Sequence, residues 1–286
     1  MKVYKEFDLT EYNSYKLISK CRNAYFPESE EDVRDLYREK NDYVLLGSGY
    51  NVILSKEYYE KDFIIFNGNF EGCRLDCLGG QRIHAEAGAT MLQLSEFACD
   101  NGLSGLEMFF DIPSSLGGAI VMNAGAGGEE IKDTLVSVRY LDLVDLEFKE
   151  ILKNEMSFEY RNSFFQKNTD KVVVSAWLQL DRKPVGEIRD KMNRIKGERW
   201  RKQPRDYPNA GSVFKRPKGF YVGALIDELD LKGYRIGGAM ISTKHGGFII
   251  NIDNATGNDI ISIITEVRSR VRAKYDIELE VEQRII

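Results

Sequence analysis

The feature that most constrains this chain is the stretch IPSSLGGAIVMNAGAGG at residues 112–128. It contains five glycines, three alanines and two serines, so few of its side chains can fill a hydrophobic core. Glycine lets another group approach the backbone closely because it has no Cβ. The stretch therefore indicates either a ligand that lies against bare backbone or two closely packed strands that need glycine for their approach.

A second glycine-rich turn, GSGYN at residues 47–51, interrupts the apolar run YVLLGSGYNVIL. A turn after a strand exposes backbone N–H groups, and glycine leaves room there for a pyrophosphate. The spacing matches neither the dinucleotide fingerprint G-x-G-x-x-G nor the P-loop, whose lysine is missing here. A tight loop without a ligand explains this turn alone, whereas the two bare segments together favour a flat or polyanionic ligand.

The bulk composition indicates a soluble protein with more than one domain. The 286 residues exceed the roughly 100 to 200 that are usual for one domain. No apolar run approaches the roughly 18 residues of a membrane span, so no membrane partner is expected. The net charge of -5 argues against a broad nucleic-acid surface, which needs an excess of Lys and Arg. The charged start MKVYKEFDLTEYN does not resemble a signal peptide, so a cytoplasmic protein is expected.

The four cysteines do not form a metal-binding pattern. Only Cys73 and Cys77 are closely spaced, with no histidine or second cysteine pair beside them. Structural zinc normally needs four ligands. We therefore expect no metal, and we interpret Cys21, Cys73, Cys77 and Cys99 as reduced thiols.

Apolar spacing and capping residues predict four helices among several strands, which is an α+β fold. Ser29 caps the first helix, Gly102 ends the second and Pro204 ends the third. Arginines 268, 270 and 272 are expected to form a solvated face of the fourth. The predicted helices run from Ser29 to about Glu39, from Thr90 to Asn101, from Val185 to Gln203 and from about Asn258 to Tyr275; predicted strands contain YVLL, DFIIFN, LVSVRYLDL and KVVVSAWLQL.

Residues 102–133, GLSGLEMFFDIPSSLGGAIVMNAGAGGEEIKD, resemble the flavin-binding signature of the UDP-N-acetylenolpyruvoylglucosamine reductase (MurB) family. The turn GSGYN is similar to the G-G-G-S-N phosphate loop of that family. Later segments are similar to further family motifs in the same order, so the similarity covers nearly the whole chain: SFEYRNSFF, KQPRDYPNAGSVFKRP, LIDELDLKGYRIGGAMISTKHGGFIIN and LEVEQRII.

This resemblance implies an FAD-binding fold of the vanillyl-alcohol-oxidase/MurB type, with two α/β subdomains, and a C-terminal α+β substrate-binding domain. The flavin-binding region is expected at 1–183, with subdomains at about 1–67 and 68–183. The substrate-binding domain is expected at 184–279, and 280–286 is expected to be a strand that returns to the active site.

The same resemblance implies that FAD is the cofactor and NADPH the reductant. The only histidines, His84 and His245, lie outside the phosphate loop, so non-covalent FAD is expected. The residues expected to contact FAD are Gly47, Ser48, Gly49, Tyr50, Asn51, Pro113, Ser114, Ser115, Gly117, Gly118, Asn123, Ala124 and Gly125.

Three polar residues that are far apart in sequence could serve one reaction, the reduction of an enol ether that bears a carboxylate. Hydride addition builds up enolate charge, which a cation such as Arg161 stabilises. Ser212 can protonate the α-carbon, because a carbanion-like centre is a strong base. Glu282 is expected to share a proton or hydrogen bond with the substrate carboxyl group. The resemblance assigns the same catalytic roles to these three residues.

The final segment is expected to alternate between two faces, with Glu282 on the face opposite to an inward-facing set. That set is Leu279, Val281 and Ile285.

Substrate phosphates need positive charge, and the resemblance implies that Lys202 binds the nucleotide diphosphate. Tyr160, Lys215 and Arg216 are further candidates for substrate binding; for Lys215, solubility is an equally simple explanation. The chain departs from the family pattern at Tyr50, Asp111, Ser114, Ser115, Gly127 and Arg216.

The resemblance implies NADPH-dependent reduction of UDP-N-acetylglucosamine enolpyruvate to UDP-N-acetylmuramate, a peptidoglycan precursor. A monomer is expected. The short separation of Arg161 and Ser212 leaves no room for the substrate-covering loop of one subgroup, so the chain resembles the type II form. Two alternatives stay open: a flavin oxidase on the same fold, and a noncatalytic flavin- or nucleotide-binding paralogue.

Overall fold

The computed structural model describes residues 1–39, 42–76 and 80–286. Cys77 lies outside these ranges, so the expectation for its thiol is not tested. The described residues form two compact units. Unit 1 contains residues 1–4, 23–48 and 61–197, and unit 2 contains residues 5–22, 49–60 and 198–286.

Seven α-helices lie within the described ranges. The four predicted helices are confirmed, as α1, α2, α5 and α7. The helices are α1 (Glu30–Arg38), α2 (Met91–Asp100), α3 (Leu116–Met122), α4 (Phe164–Lys167), α5 (Val185–Lys202), α6 (Val222–Glu228) and α7 (Gly257–Tyr275).

Nineteen strands lie in the same part of the chain, and they include all the predicted ones. They are β1 (Lys2–Asp8), β2 (Lys20–Phe26), β3 (Tyr43–Leu46), β4 (Val52–Ile53), β5 (Tyr58–Tyr59), β6 (Asp62–Ile65), β7 (Cys73–Leu75), β8 (Arg82–Glu86), β9 (Leu103–Ser104), β10 (Gly125–Ala126), β11 (Glu129–Glu130), β12 (Leu135–Asp142), β13 (Glu147–Leu152), β14 (Lys171–Gln179), β15 (Asp181–Arg182), β16 (Arg235–Ile236), β17 (Ala239–Ile241), β18 (Ile249–Asn251) and β19 (Arg284–Ile285).

Helix caps follow the sequence signals. The Ser29 side chain accepts a hydrogen bond from the Asp32 N–H at the start of α1, and Thr90 caps α2 in the same way with Gln93. These caps satisfy donors that the first turn of a helix leaves unpaired. Helix α5 ends at Lys202, two residues before Pro204.

Unit 1 is built on an antiparallel sheet of order β13-β12-β14-β8-β7. Strand β12 pairs along its length with both β13 and β14, and buried residues such as Val138 and Val174 form part of the hydrophobic core. A parallel pair, β3 with β6, runs from Tyr43↔Asp62 to Leu46↔Ile65. That pair ends directly before Gly47, so the sheet fixes where the first glycine turn begins.

The bare stretch at 112–128 contains a helix, α3, and closes with a pair of tightly packed strands of the kind considered from sequence. Gly125 lies in β10, which pairs with β11, and a Cβ on it would lie 2.1 Å from the Glu129 carbonyl oxygen. Leu116 and Ile120 are fully buried in the core of unit 1, and that burial outweighs the poor helix propensity of Gly117 and Gly118. Ser115 caps this helix at the Gly118 N–H.

Unit 2 contains a small antiparallel sheet, β16-β17-β18, and helix α7. The buried face of α7 includes Ile260, Ile264, Val267 and Val271. Arginines 268, 270 and 272 are exposed and pair with Glu266 or Glu278, which confirms the solvated face.

The last strand, β19, pairs in parallel with β4 at Arg284↔Val52 and Ile285↔Ile53. Leu279 is buried and Val281 is half-buried, but Ile285 is 49% exposed. The inward position predicted for Ile285 is therefore wrong, because the two-residue pairing with β4 leaves its side chain at the surface.

Both compact units combine separate ranges of sequence, whereas the predicted domains are contiguous. Compactness does not test where ligands bind, so the division at 183/184 and 279/280 stays a prediction. No helix in the described ranges is both long and apolar enough to cross a membrane.

Candidate active site

In unit 1, the first glycine turn lies against the bare stretch. A Cβ built on Gly47 would lie 2.4 Å from Ser115 Oγ, which is far inside van der Waals contact. Gly117 also contacts other backbone, because its N–H donates to the Ala87 carbonyl at 2.8 Å. Two segments that were predicted separately to bind FAD therefore adjoin each other in unit 1.

Three polar atoms in these segments are buried without a hydrogen-bond partner among the described residues: Ser48 Oγ, Ser114 Oγ and Asn123 Oδ1. A buried polar atom left unpaired costs roughly 1–3 kcal/mol, so native proteins seldom keep one without a ligand or ordered water. A polar ligand on the Gly47 and Ser115 segments would supply the missing partners. The residues present thus fit the polyhydroxyl chain and pyrophosphate of FAD.

Asn123 ends α3 in the left-handed conformation, with φ 43°. Its Nδ2 donates to the Glu159 carbonyl and to Glu130 Oε2, both at 2.9 Å. The end of α3, within the bare stretch, is therefore tied to the loop that precedes Arg161.

Arg161 is half-buried and also has a left-handed backbone, with φ 53°. Its guanidinium donates to the carbonyls of Asn123 at 3.3 Å and Gly125 at 2.6 Å. The guanidinium carbon lies 5.1 Å from the centre of the exposed Tyr160 ring. The structure thus brings a cation to the predicted flavin-binding segment.

Unit 2 carries the second half of the glycine turn. Gly49 has φ 69°, and a Cβ there would lie 2.0 Å from the Tyr12 carbonyl oxygen, so only glycine fits without a shift. Tyr50 is 43% exposed. The Gly49 carbonyl accepts from the Ser14 N–H at 3.1 Å, and the Ser14 hydroxyl is buried without a partner in the described ranges. Sequence reasoning missed Ser14, because Ser14 belongs to no recognised motif and its place beside the turn depends on how the chain folds.

Asn51, Glu282 and the Ser212 segment are brought together in unit 2. Asn51 Nδ2 donates to the Glu282 carbonyl at 3.2 Å, and the Glu282 N–H donates to the Val213 carbonyl at 2.8 Å. An antiparallel bridge joins Phe214 to Val281, so the segment that carries Ser212 runs beside the segment that carries Glu282.

Ser212 itself is exposed and follows Gly211, which has φ 78°. It forms an antiparallel bridge with Phe248. In the same neighbouring segment as Phe248, the Gly247 carbonyl accepts from the Val213 N–H at 3.0 Å. The Ser212 hydroxyl therefore stands at the surface of a backbone segment that is held by neighbours on both sides.

The predicted substrate-binding cations are dispersed in unit 2. Lys202 is exposed at the end of α5. Lys215 Nζ pairs with Glu280 Oε1 at 2.6 Å, which offsets part of its charge. The Arg216 guanidinium lies 4.6 Å from the centre of the Tyr221 ring, a cation–π distance.

Two further residues beside the Ser212 segment escaped sequence reasoning. His245 Nδ1 accepts from the Gly247 N–H at 3.0 Å, and burial lowers the pKa of His245 below its ordinary value. Gln283 is buried, and its amide donates to the Ala210 carbonyl at 3.0 Å. An available signal was the strand alternation: Leu279 and Val281 predict an inward position 283, and an amide there requires partners.

Comparison with known proteins gives the family. A model described as the UDP-N-acetylenolpyruvoylglucosamine reductase C-terminal domain matches residues 203–286, and one described as an FAD binding domain matches residues 23–145. A UDP-N-acetylenolpyruvoylglucosamine reductase of Francisella tularensis subsp. tularensis is 39% identical over 280 residues, which cover 97% of this chain and 98% of the relative. This chain belongs to the UDP-N-acetylenolpyruvoylglucosamine reductase family.

Other members of the reductase family are also similar to this chain over most of its length. The enzyme of Syntrophomonas wolfei subsp. wolfei is 39% identical over 282 residues, or 97% of this chain and 93% of the relative. The crystal structure of the reductase (MurB) from Thermus caldophilus superimposes with a TM-score of 0.81 at 29% identity, covering 100% of this chain and 99% of the other. The resemblance and the fold class predicted from sequence are therefore confirmed.

The match to the FAD binding domain contains every residue predicted to contact the flavin, from Gly47 to Gly125. The match to the reductase family's C-terminal domain contains Ser212, Lys215, Arg216 and Glu282, and Lys202 lies one residue before it. The individual roles of these residues stay predictions.

Proposed function

We propose that this chain reduces the enolpyruvyl group of UDP-N-acetylglucosamine enolpyruvate to give UDP-N-acetylmuramate, with FAD as cofactor and NADPH as reductant. One observation carries the proposal: the Ser212 segment, Glu282 and Asn51 of the glycine turn belong to a single hydrogen-bonded group of backbone segments in unit 2. The residues proposed as the acid and the carboxyl group therefore lie on neighbouring segments, next to a residue predicted to contact the flavin. Membership of the family, with similarity over 97% of the chain, indicates which molecule is the substrate.

The two glycine segments are the proposed holders of FAD. In unit 1, Ser48, Ser114 and Asn123 offer unpaired buried atoms, and the absence of a Cβ at Gly47 lets Ser115 pack closely against the turn. FAD bound there would accept hydride from NADPH and deliver it to the substrate.

Arg161 is proposed to stabilise negative charge on the substrate as the enolate develops. Its guanidinium is a cation with only hydrogen-bond donors, and two backbone carbonyls already fix its orientation. A preorganised cation needs little rearrangement during the reaction, which is why such groups lower a barrier more than mobile ones.

Ser212 is proposed to donate the proton that the α-carbon receives. The exposed hydroxyl after Gly211 is accessible to a ligand. Glu282 is proposed to share a proton or hydrogen bond with the substrate carboxyl group, which holds the α-carbon near the acid. Both groups act within hydrogen-bond reach of the substrate, as general acid catalysis requires.

Substrate binding is assigned to Tyr160, Lys202, Lys215 and Arg216, with Lys202 on the diphosphate. A guanidinium can bind phosphate through two parallel N–H groups, so Arg216 suits this task although it cannot accept a hydrogen bond. Such an enzyme serves peptidoglycan precursor synthesis. A cytoplasmic location and a monomeric state stay predictions.

An anaerobic colour experiment tests the proposal against its two rivals. NADPH should bleach the yellow of the purified holoenzyme, and the enolpyruvyl substrate should restore the flavin absorbance in the absence of oxygen. A flavin oxidase would need oxygen to recover its colour. A noncatalytic paralogue would not recover it with substrate, and either result would remove the proposed reaction.

A further inference from the structure

A buried side-chain network lies directly behind the segments that carry Ser212 and Glu282. The Tyr15 hydroxyl donates to Gln283 Oε1 at 3.0 Å. The Gln283 Nε2 donates to the carbonyls of Ala210 at 3.0 Å and Gly211 at 3.3 Å. Tyr15 is completely buried and Gln283 is 4% exposed.

Every hydrogen-bonding atom of the Gln283 side chain has a partner in this network. The oxygen accepts from Tyr15, and each of the two amide hydrogens has a carbonyl to bind. Burial raises the pKa of Tyr15 far above its ordinary value, so its hydroxyl remains a donor. The network is also anchored at its far end, because Asn251 Nδ2 donates to the Tyr15 carbonyl at 2.8 Å.

The position of Gln283 makes this network more than a support for the core. Gln283 follows Glu282 directly, and its two carbonyl partners precede Ser212 by one and two residues. A single rigid amide therefore joins the backbone of the proposed acid to the backbone of the proposed carboxyl group. Gly211, with φ 78° and open space around its Cα, would leave the turn free to move without such a restraint.

We propose that Gln283 is a positioning residue, whose amide sets the place of the Ser212 hydroxyl relative to the Glu282 carboxyl group. The inference rests on the proposed function, because it concerns the protonation of the substrate. Displacing an acid by about 1 Å can cost about a hundredfold in rate. Delivery of hydride by NADPH does not use the Ser212 proton, so the network acts on one half of the catalytic cycle.

The test is Gln283→Leu in the FAD-loaded enzyme, with each half-reaction followed separately by anaerobic stopped-flow absorbance. We expect reoxidation by the enolpyruvyl substrate to slow at least about tenfold, with bleaching by NADPH changed less than about twofold. The solvent deuterium isotope effect on reoxidation should grow, because transfer of the proton becomes slower.

Two further variants separate positioning from loss of stability. Val271→Ala removes buried volume from α7 and lowers the thermal midpoint, but it should leave both rates within about twofold of wild type. Tyr15→Phe removes only the hydroxyl, should slow the same half-reaction less, and carries the test if Gln283→Leu does not fold. Because both side chains act through one network, the double variant should be no slower than Gln283→Leu.

Wild-type reoxidation rates in Gln283→Leu, an equal loss in both half-reactions, or an unchanged isotope effect would each overturn the positioning role. The proposed function fails in a different way, if wild-type enzyme itself does not recover its colour with the enolpyruvyl substrate.

Discussion

Arg161 shows how much of this site depends on single residues in unusual backbone conformations. A non-glycine residue in the left-handed region costs of order 1–3 kcal/mol and persists only where its surroundings hold it. Here the carbonyls of Asn123 and Gly125 hold the guanidinium, and Asn123 is itself left-handed. Such strain at a site is a reason to assign it a function.

Removing the hydroxyl of Ser212 tests its proposed role as the acid. Ser212→Ala should leave bleaching by NADPH unchanged and slow reoxidation by substrate by about 10²–10⁴-fold, the usual contribution of a general acid. Anaerobic stopped-flow absorbance measures both steps. Ser269→Ala, at an exposed position of α7, is the control and should affect neither. Equal reoxidation rates in the two variants would remove Ser212 from the mechanism.

Two glycines with similar backbones separate steric fit from backbone strain. Gly49 and Gly127 have φ 69° and 64°, but only Gly49 has a close neighbour for a Cβ, the Tyr12 carbonyl at 2.0 Å. Gly127→Ala should lower the free energy of unfolding by about 1–2 kcal/mol. Gly49→Ala should cost more, because backbone atoms must move. Urea unfolding of both variants measures the difference, and equal losses would mean that the turn rearranges without cost.

At the scale of elements, the loop between β17 and β18 supports the Ser212 segment through hydrogen bonds. His245 Nδ1 accepts from the Gly247 N–H, and the Gly247 carbonyl accepts from Val213. A ring nitrogen that accepts must be unprotonated, so this loop depends on neutral His245. Burial is the main cause of its lowered pKa; Lys232 lowers the pKa further, whereas a backbone hydrogen bond and Asp227 raise it.

The requirement for neutral His245 makes the stability of the folded chain depend on pH. Below the ordinary histidine pKa of about 6.5, the unfolded chain binds a proton that the folded chain resists, so stability falls as the pH falls. Urea unfolding at pH 7.5 and pH 5.5 should show a smaller loss in His245→Asn than in wild type, because asparagine keeps an acceptor but does not titrate. His84 also has a pKa lowered by burial. The same two measurements on His84→Asn therefore separate the contribution of His84 to the loss of stability from that of His245. An unchanged loss in His245→Asn would contradict the argument.

Local signals predicted the elements that carry them. The cap at Ser29 and the apolar spacing in α7 are short-range features, and the structure keeps both of them. Helix α3 was missed because its glycines predict no helix, whereas the burial of Leu116 and Ile120 in unit 1 stabilises it.

The site was predictable in its residue types but not in its connections. Motif resemblance supplied Arg161, Ser212 and Glu282, but no local pattern could reveal that Arg161 binds carbonyls of the bare stretch. Nor could sequence spacing link Gln283 to Tyr15, because that contact depends on how distant segments pair.

At the scale of the whole molecule, bound FAD should contribute directly to stability. A ligand that binds only the folded chain adds about 2.7 kcal/mol at a hundredfold excess over its Kd. Three buried polar atoms of unit 1 lack partners in the described ranges, so the chain without FAD should be less stable. Thermal unfolding of FAD-free protein across a series of FAD concentrations should show a rising midpoint. Riboflavin, which lacks the pyrophosphate, is the control, and an equal rise with riboflavin would contradict the phosphate role of the glycine turn.

The hydrogen bond between Tyr15 and Gln283 joins residues that are 268 positions apart. On the ribosome, at about 5–20 residues per second, Tyr15 would wait roughly 15 to 50 s for its partner. Throughout that interval a tyrosine destined for complete burial has no hydrogen-bond acceptor at Gln283, so the nascent chain cannot complete this part of its interior until Gln283 has been synthesised.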